Sequence, residues 1–392
     1  MKFSLGRHGP DGTYSAIVDV GSGSVGVAIV ASDPLEDTPR VIWTHRETMS
    51  IRDHTNLTAT EKNITTTLIN AFLELGNTGV RALKDYDGSA KISSIHAAFA
   101  APWAYSLIRT IKLGQETEFV VSEDLIEELV EKAYKEASEV VKTEELTSKI
   151  DLEKITDETI SITANGYTIK KPLNVSVSKL EIAQFIGLVQ QKLFLPLIEA
   201  ADKVLPDVEV TPSTFMYTFY RTLKAKNVDI TTACLVDVTA EATEIGIVRE
   251  GVLRHVTHIP HGTTTLIRNI SSCLNIPTSD AIGHLHVDEV KTAELLSAEK
   301  KAALEEALET YQNALTEMFT KTKDALAIPT NIFLHTDINY ETFLQEQLNL
   351  AAIAAHKSTY TFFPVTSKLF PHADCEDTAI LLSSYVFHKK LY

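Results

Sequence analysis

The chain has 392 residues, more than one small core needs, so two or more domains are expected. It is 44% apolar and 22% charged, the balance of an ordinary globular protein. A formal net charge of −16 argues against a general binder of nucleic acid or anionic membrane, which neutralises phosphate with clustered Lys and Arg.

Three alternating, β-branched segments open the chain: YSAIVDV, SVGVAIVAS and RVIWTHRETMSI read as one strand meander. The GSGS between the first two reads as a tight hairpin in which glycine supplies positive φ. TATEKNITTTLINAFLELGNTGVRALKDY has helical spacing, and KISSIHAAFAAPW returns to strand. Strand-like SLIRTIKLG and EFVVS follow. They lead into the helix SEDLIEELVEKAYKEASEVV, capped by Ser122 and striped by Leu125, Ile126, Leu129 and Ala133. Acidic KTEELTSKIDLEKITDE and a strand pair turned at NG complete a small α+β unit, expected over residues 91–172. Trp103 and Tyr105, at its start, read as core residues, with an interface anchor as the alternative.

PLNVSVSKLEI and a helix over EIAQFIGLVQQKLFLPLIEAADKVL resume the parent domain. A second hairpin, ACLVDVTAEATEIGIVREGVLRHVTHI, opens another domain with a long charged helix and the buried strand TNIFLHTD. An apolar helix with a basic last turn, DTAILLSSYVFHKKLY, ends the sequence. The expected division is a first domain over 1–90 and 173–230, the insert at 91–172, a second domain over 231–370, and a helix at 371–392 returning to the first domain.

Cys234, Cys273 and Cys375 lie far apart without metal-ligand spacing and read as reduced thiols. His255, His258, His261, His284 and His286 cluster in sequence, but strand-then-loop texture favours solvated or capping roles over a zinc site. With no apolar signal-peptide core and no apolar run near the roughly 20 residues of a membrane span, a soluble cytoplasmic protein is expected.

The chemistry concentrates in a repeated rhythm. AIVDVGSGSVGVAIV (residues 16–30) recurs as CLVDVTAEATEIGIV (residues 234–248), an aspartate ending a buried strand before a turn of small residues. Such a turn can aim backbone N–H groups at phosphate while the carboxylate reaches Mg²⁺ through water. Two of them facing across a cleft could grip one nucleotide.

These stretches resemble the phosphate loops of the actin, heat-shock chaperone and sugar-kinase superfamily. The chain looks most like the bacterial branch containing the cell-division protein FtsA and the pilus protein PilM. HIPHGTTTLIRNISSCLNIPTSDAIGHL is similar to the segment after the second loop, and PTNIFLHTDINYETFLQEQL sits where the adenosine loop belongs. The resemblance implies a two-lobed α/β, ribonuclease H-like fold with a small inserted α+β subdomain. It implies ATP or ADP with Mg²⁺ held by Asp19, Gly21, Ser22, Gly23, Ser24, Asp237, Thr239, Ala240, Glu241, His261, Gly262, Thr336 and Asp337, with Asp19 and Asp237 reaching the metal through water.

Departures from the family pattern bear on activity. Thr239 stands where the second loop usually has glycine, and Thr336 and Asp337 where the adenosine loop has two. Slow or degenerate hydrolysis is therefore expected. The resemblance implies a cytoskeletal or scaffold protein of type IV pilus assembly or cell division. Such a protein binds a cytoplasmic peptide of a membrane partner at the inner face of the membrane and forms filaments or docks through the insert. The last apolar helix is followed directly by HKKLY, with no added amphipathic helix of the FtsA kind, which leans the resemblance toward PilM. A small-molecule kinase of the same fold and a non-binding pseudo-ATPase scaffold are the alternatives.

Overall fold

The computed structural model describes residues 13–49, 57–143, 150–283, 298–336, 341–356, 359–371 and 373–391. Two five-stranded sheets are built to one plan. In the first, β1 (Thr13–Val20), β2 (Ser24–Ser32), β3 (Arg40–Thr48), β4 (Ile92–Phe99) and β9 (Glu209–Thr214) lie in the order β3-β2-β1-β4-β9. In the second, β10 (Thr232–Val238), β11 (Thr243–Arg249), β12 (Val252–Ile259), β13 (Asn331–Thr336) and β14 (Thr361–Pro364) lie in the order β12-β11-β10-β13-β14. Each begins as an antiparallel meander and then adds two parallel strands.

Burial on both faces explains why the central strands read as near-continuous apolar runs. Ala16, Val18 and Val20 of β1 enter a core with α1 (Leu57–Glu74) and α4 (Gln191–Val204), whereas Ile17 faces the opposite way. In the second lobe Cys234, Val236 and Val238 of β10 meet α6 (Thr263–Leu274), α8 (Ala298–Ala325) and α9 (Glu341–His356), with Leu235 on the other face. Between the lobes run α5 (Phe215–Ala225) and α10 (Thr378–Leu391). Phe215, Met216, Phe219 and Tyr220 of α5 are buried, and Thr222 donates to Leu382 O at 2.8 Å. The C-terminal helix α10 packs against β1, β2 and β4 of the first sheet.

The small unit is a four-stranded antiparallel sheet in the order β5-β8-β6-β7, made of β5 (Ala104–Val120), β6 (Leu152–Ala164), β7 (Tyr167–Thr168) and β8 (Ser176–Gln190). Across it lies α3 (Glu123–Thr143), burying Leu129 and Ala133. Its limits differ from the expected 91–172. Residues 92–99 pair with β1, and β8 carries the excursion on to Gln190, whose N–H donates to Trp103 O at 3.0 Å and ties the two ends together. The expected helix from residue 181 begins only at Gln191. The unbroken burial of residues 182–190 hides the strand period, because a fully buried strand and a buried helix turn look alike in sequence. Residues 144–149 of the acidic stretch lie outside the described residues. No helix among the described residues is long and apolar enough to cross a membrane.

Candidate functional site: two loops closed on each other

The two hairpin turns are copies in three dimensions. Gly21 N donates to Ser24 O at 3.0 Å, and at the equivalent positions Thr239 N donates to Ala242 O at 2.9 Å. Positive φ is confined, among the described glycines, to Gly166 and Gly251. The expectation that the GSGS glycines supply positive φ is therefore corrected, and a threonine fits the second turn without backbone strain. What the first turn's glycine provides is approach. A Cβ on Gly23 would overlap Ala240 Cβ of the other loop.

The loops touch through buried groups. Ser22 Oγ donates to Thr239 Oγ1 at 2.7 Å and accepts from Glu241 N at 2.7 Å. Trp103, fully buried, donates from its indole nitrogen to Gly21 O at 3.0 Å. It thus braces the first loop from inside the core and is not a surface anchor.

The N-terminus of α6, the kind of place where a phosphate would bind, is also engaged. Thr263 N donates to Thr239 O at 3.0 Å and Thr264 N to Ala240 O at 2.8 Å. Gly262 is needed because a Cβ there would lie 2.6 Å from Ala240 C. His261 meets the second hairpin through its carbonyl, which accepts from Thr243 Oγ1 at 2.7 Å, while its ring Nδ1 is buried without a partner and burial holds the imidazole below its usual pKa. Glu241 pairs with Arg268.

The two aspartates are buried and paired within the protein. Arg46 Nη2 donates to Asp19 Oδ2 at 2.8 Å, Nη1 to Ser24 Oγ at 2.8 Å, and Nε to Asp377 Oδ2 at 2.7 Å. Burial still raises the Asp19 carboxyl above its ordinary value. Asp377 is held low, the Arg46 guanidinium outweighing burial. In the second lobe His335 Nδ1 meets Asp237 Oδ1 at 2.7 Å, leaving Asp237 Oδ2 without a partner.

Strand register extends this into a polar row, His258–Glu244–Asp237–His335, across one face of the second sheet. The equivalent row of the first sheet is Arg46–Gly26–Asp19–Ala98. Burial, with the Asp237 charge added, pushes the Glu244 carboxyl well above the usual range.

The sequence-derived residues are thus brought together, but toward one another. Asp19, Gly21, Ser22, Gly23 and Ser24 face Asp237, Thr239, Ala240 and Glu241. Gly262 lies beneath the second loop, and Thr336 is half-buried at the end of β13, beside Val238 in register. Asp337, His284 and His286 lie outside the described residues. As arranged, these residues do not fit a Mg²⁺-bound phosphate. The Ser22 hydroxyl and the Glu241 amide bond to each other across the loops, the Gly21 and Thr239 amides close their own turns, the first amides of α6 go to the second loop, and both carboxylates hold protein cations or imidazole. Arg46, Asp377, His335 and Glu244 were missed in sequence, and Trp103 was read there as core without its bond to the first loop; only Gly26, a glycine inside a strand, hints at a close approach. No group of three His, Cys, Asp or Glu able to hold a metal occurs among the described residues. The Cys234 thiol, fully buried, is pushed up to about 12.

No family model and no curated protein matches the sequence. Among solved structures, a chain of a PilM–PilN type IV pilus biogenesis complex is 12% identical with a TM-score of 0.57, covering 96% of this chain and 98% of that one. A Bacteroides thetaiotaomicron protein described as having an actin-like ATPase fold and unknown function is 10% identical, with a TM-score of 0.40 over 95% and 96% of the two chains. The activator of the 2-hydroxyisocaproyl-CoA dehydratase from Clostridium difficile, with bound ADPNP, is 8% identical, with a TM-score of 0.40 over 97% and 95%. With its paired sheets, its two buried inter-lobe helices and this likeness along its length, the chain has the two-lobed actin-like ATPase fold.

Proposed function

We propose that this chain is an actin-like scaffold, held closed by its own side chains, that recruits a cytoplasmic segment of a membrane protein of a pilus or division machinery. The observation that carries the reading is Ser22, whose hydroxyl joins the two phosphate loops through Thr239 and the Glu241 amide. In an ATP-dependent relative of this fold, nucleotide would bridge the lobes. Here the buried hydrogen bonds of Ser22 do so, while the Arg46 ion pairs, within the first lobe, occupy Asp19, and ATP or ADP with Mg²⁺ enters only by breaking both sets.

The partner reading is supported by the likeness to a chain of the PilM–PilN complex. Such a partner would bring the chain to the inner face of the membrane, and docking through the small four-stranded unit or self-assembly would follow from that role. A kinase reading is disfavoured because the carboxylates of the two loops, Asp19, Asp237 and Glu241, are paired with Arg46, His335 and Arg268.

The test is capture of the cytoplasmic segment of a PilN-like membrane protein by the intact chain, once in EDTA without nucleotide and once with Mg·ATP. Equal capture is expected. Capture only with Mg·ATP contradicts nucleotide-independent closure, and capture in neither contradicts the partner.

A further inference from the structure

We propose that the seam between the small sheet and the second lobe is a binding site for an alkylammonium group, held by the carboxyl of Glu244. β5 and β12 meet there around a cavity of about 160 Å³. Its walls include Tyr105, Ser106 and Arg109 from β5, and Glu244, His255 and His258 from the second sheet.

Glu244 is only 3% exposed, lines the cavity, and has no hydrogen-bond or ion-pair partner among the described residues. Its neighbours in the polar row do not satisfy it. Asp237 is another carboxylate, and His258, its ring tilted against Tyr105 at a centroid distance of 5.2 Å, is kept neutral by burial. A buried carboxyl left without a partner is costly, and a cationic donor is the group that removes the cost most fully.

The first lobe shows what is missing. There the position equivalent to Glu244 is Gly26, and the protein's own Arg46 crosses it to reach Asp19. In the second lobe the strand position equivalent to Arg46 is His258, so the row has an acid in the middle and no guanidinium over it. Arg109 does not fill this role: it is half-buried and donates to the carbonyl of Ile108 at 2.8 Å. It is placed to meet a carbonyl or carboxylate carried on the same ligand. The space suits one unbranched amine, such as a small primary amine or a lysine side chain whose peptide carbonyl meets Arg109. This inference does not depend on the scaffold reading, because no residue of the loop-to-loop contact lines the cavity.

The test is NMR of the intact chain labelled at histidine, following the ring signals of His255 and His258. The probes are n-butylammonium chloride, Nα-acetyl-lysine methylamide and the neutral n-butanol. Saturable shifts are expected with both cations and not with n-butanol, and tighter binding of the lysine compound would identify a peptide side chain as the source. Glu244→Gln, which keeps shape but cannot offer a carboxylate to the cation, should weaken both cations by about tenfold or more without lowering thermal stability. The inference is overturned if neither cation gives a saturable shift up to about 50 mM, if n-butanol binds as tightly, or if Glu244→Gln binds as the wild type does. Should the variant fail to fold, the comparison of cations with n-butanol on the wild type decides.

Discussion

Gly26 and Glu244 occupy the same place in the two copies of the hairpin, and the difference between them decides how each lobe treats its aspartate. Over Gly26 the Arg46 guanidinium lies so close that a Cβ there would come within 2.6 Å of Nη2. Beside Glu244 the aspartate Asp237 is met by His335 from the other side. One hairpin is closed by an arginine reaching across a gap, the other by a histidine on the neighbouring parallel strand.

Gly26→Ala should therefore push Arg46 off Asp19 and leave a buried carboxylate unpaired. A loss of roughly 3 kcal/mol is expected, from the cost of breaking a buried ion pair by removing one side of it. Chemical denaturation of the variant checks it. Arg46→Met should lose at least as much, because Asp377 is also released.

The hydroxyl pair Ser22 and Thr239, 217 positions apart, can be weighed directly. A double-mutant cycle with Ser22→Ala and Thr239→Val should return a coupling of about 1 kcal/mol, the net value of a buried neutral hydrogen bond. Additive effects would mean that the lobes are not joined there.

Gly23→Ala places a methyl group against Ala240 of the opposite loop. Since Gly23 does not have positive φ, the loss, about 2 kcal/mol by analogy with overpacked cores, should arise from that contact alone. Adding Ala240→Gly should then restore most of it. Melting curves of the single and double variants decide the point.

Burial also sets an acid limit on stability. The His258 imidazole is brought down to about 4 and that of His96 to about 3, each by loss of water around the ring. A base with a depressed folded pKa stabilises the protein above its unfolded value, near 6.5, and that stability is lost as pH falls toward the folded value. Stability should therefore decline between about pH 6.5 and 4. His258→Gln should remove roughly 2 kcal/mol of that decline at pH 4.5, measured as denaturation free energy against pH.

Much of the architecture was legible in the sequence because the same pattern is written twice. Period-two strands around Asp19 and Asp237, with small residues in the turns, announce two equivalent hairpins. The strand at 176–190 was not legible, since burial on both faces removes the alternation that marks a strand. The contents of the site were only half legible. Asp19 and Asp237 stand out by position. Arg46 and Asp377, by contrast, meet across 331 positions and carry no local signature. Glycine in the first turn looks like a device for positive φ, but in the folded chain it makes room for Ala240. Thr239, which looked like damage to a nucleotide loop, supplies a hydroxyl to Ser22 and lies in the same turn as Gly21.

Closure of the lobes without nucleotide is tested most directly by calorimetric titration of the intact chain with Mg·ATP and with Mg·ADP. The Ser22, Thr239 and Arg46 contacts predict no binding stronger than about 1 mM, a limit of roughly 4 kcal/mol. They also predict a melting temperature unchanged by either nucleotide. Micromolar binding accompanied by a rise in melting temperature, and abolished by Asp19→Ala, would contradict it.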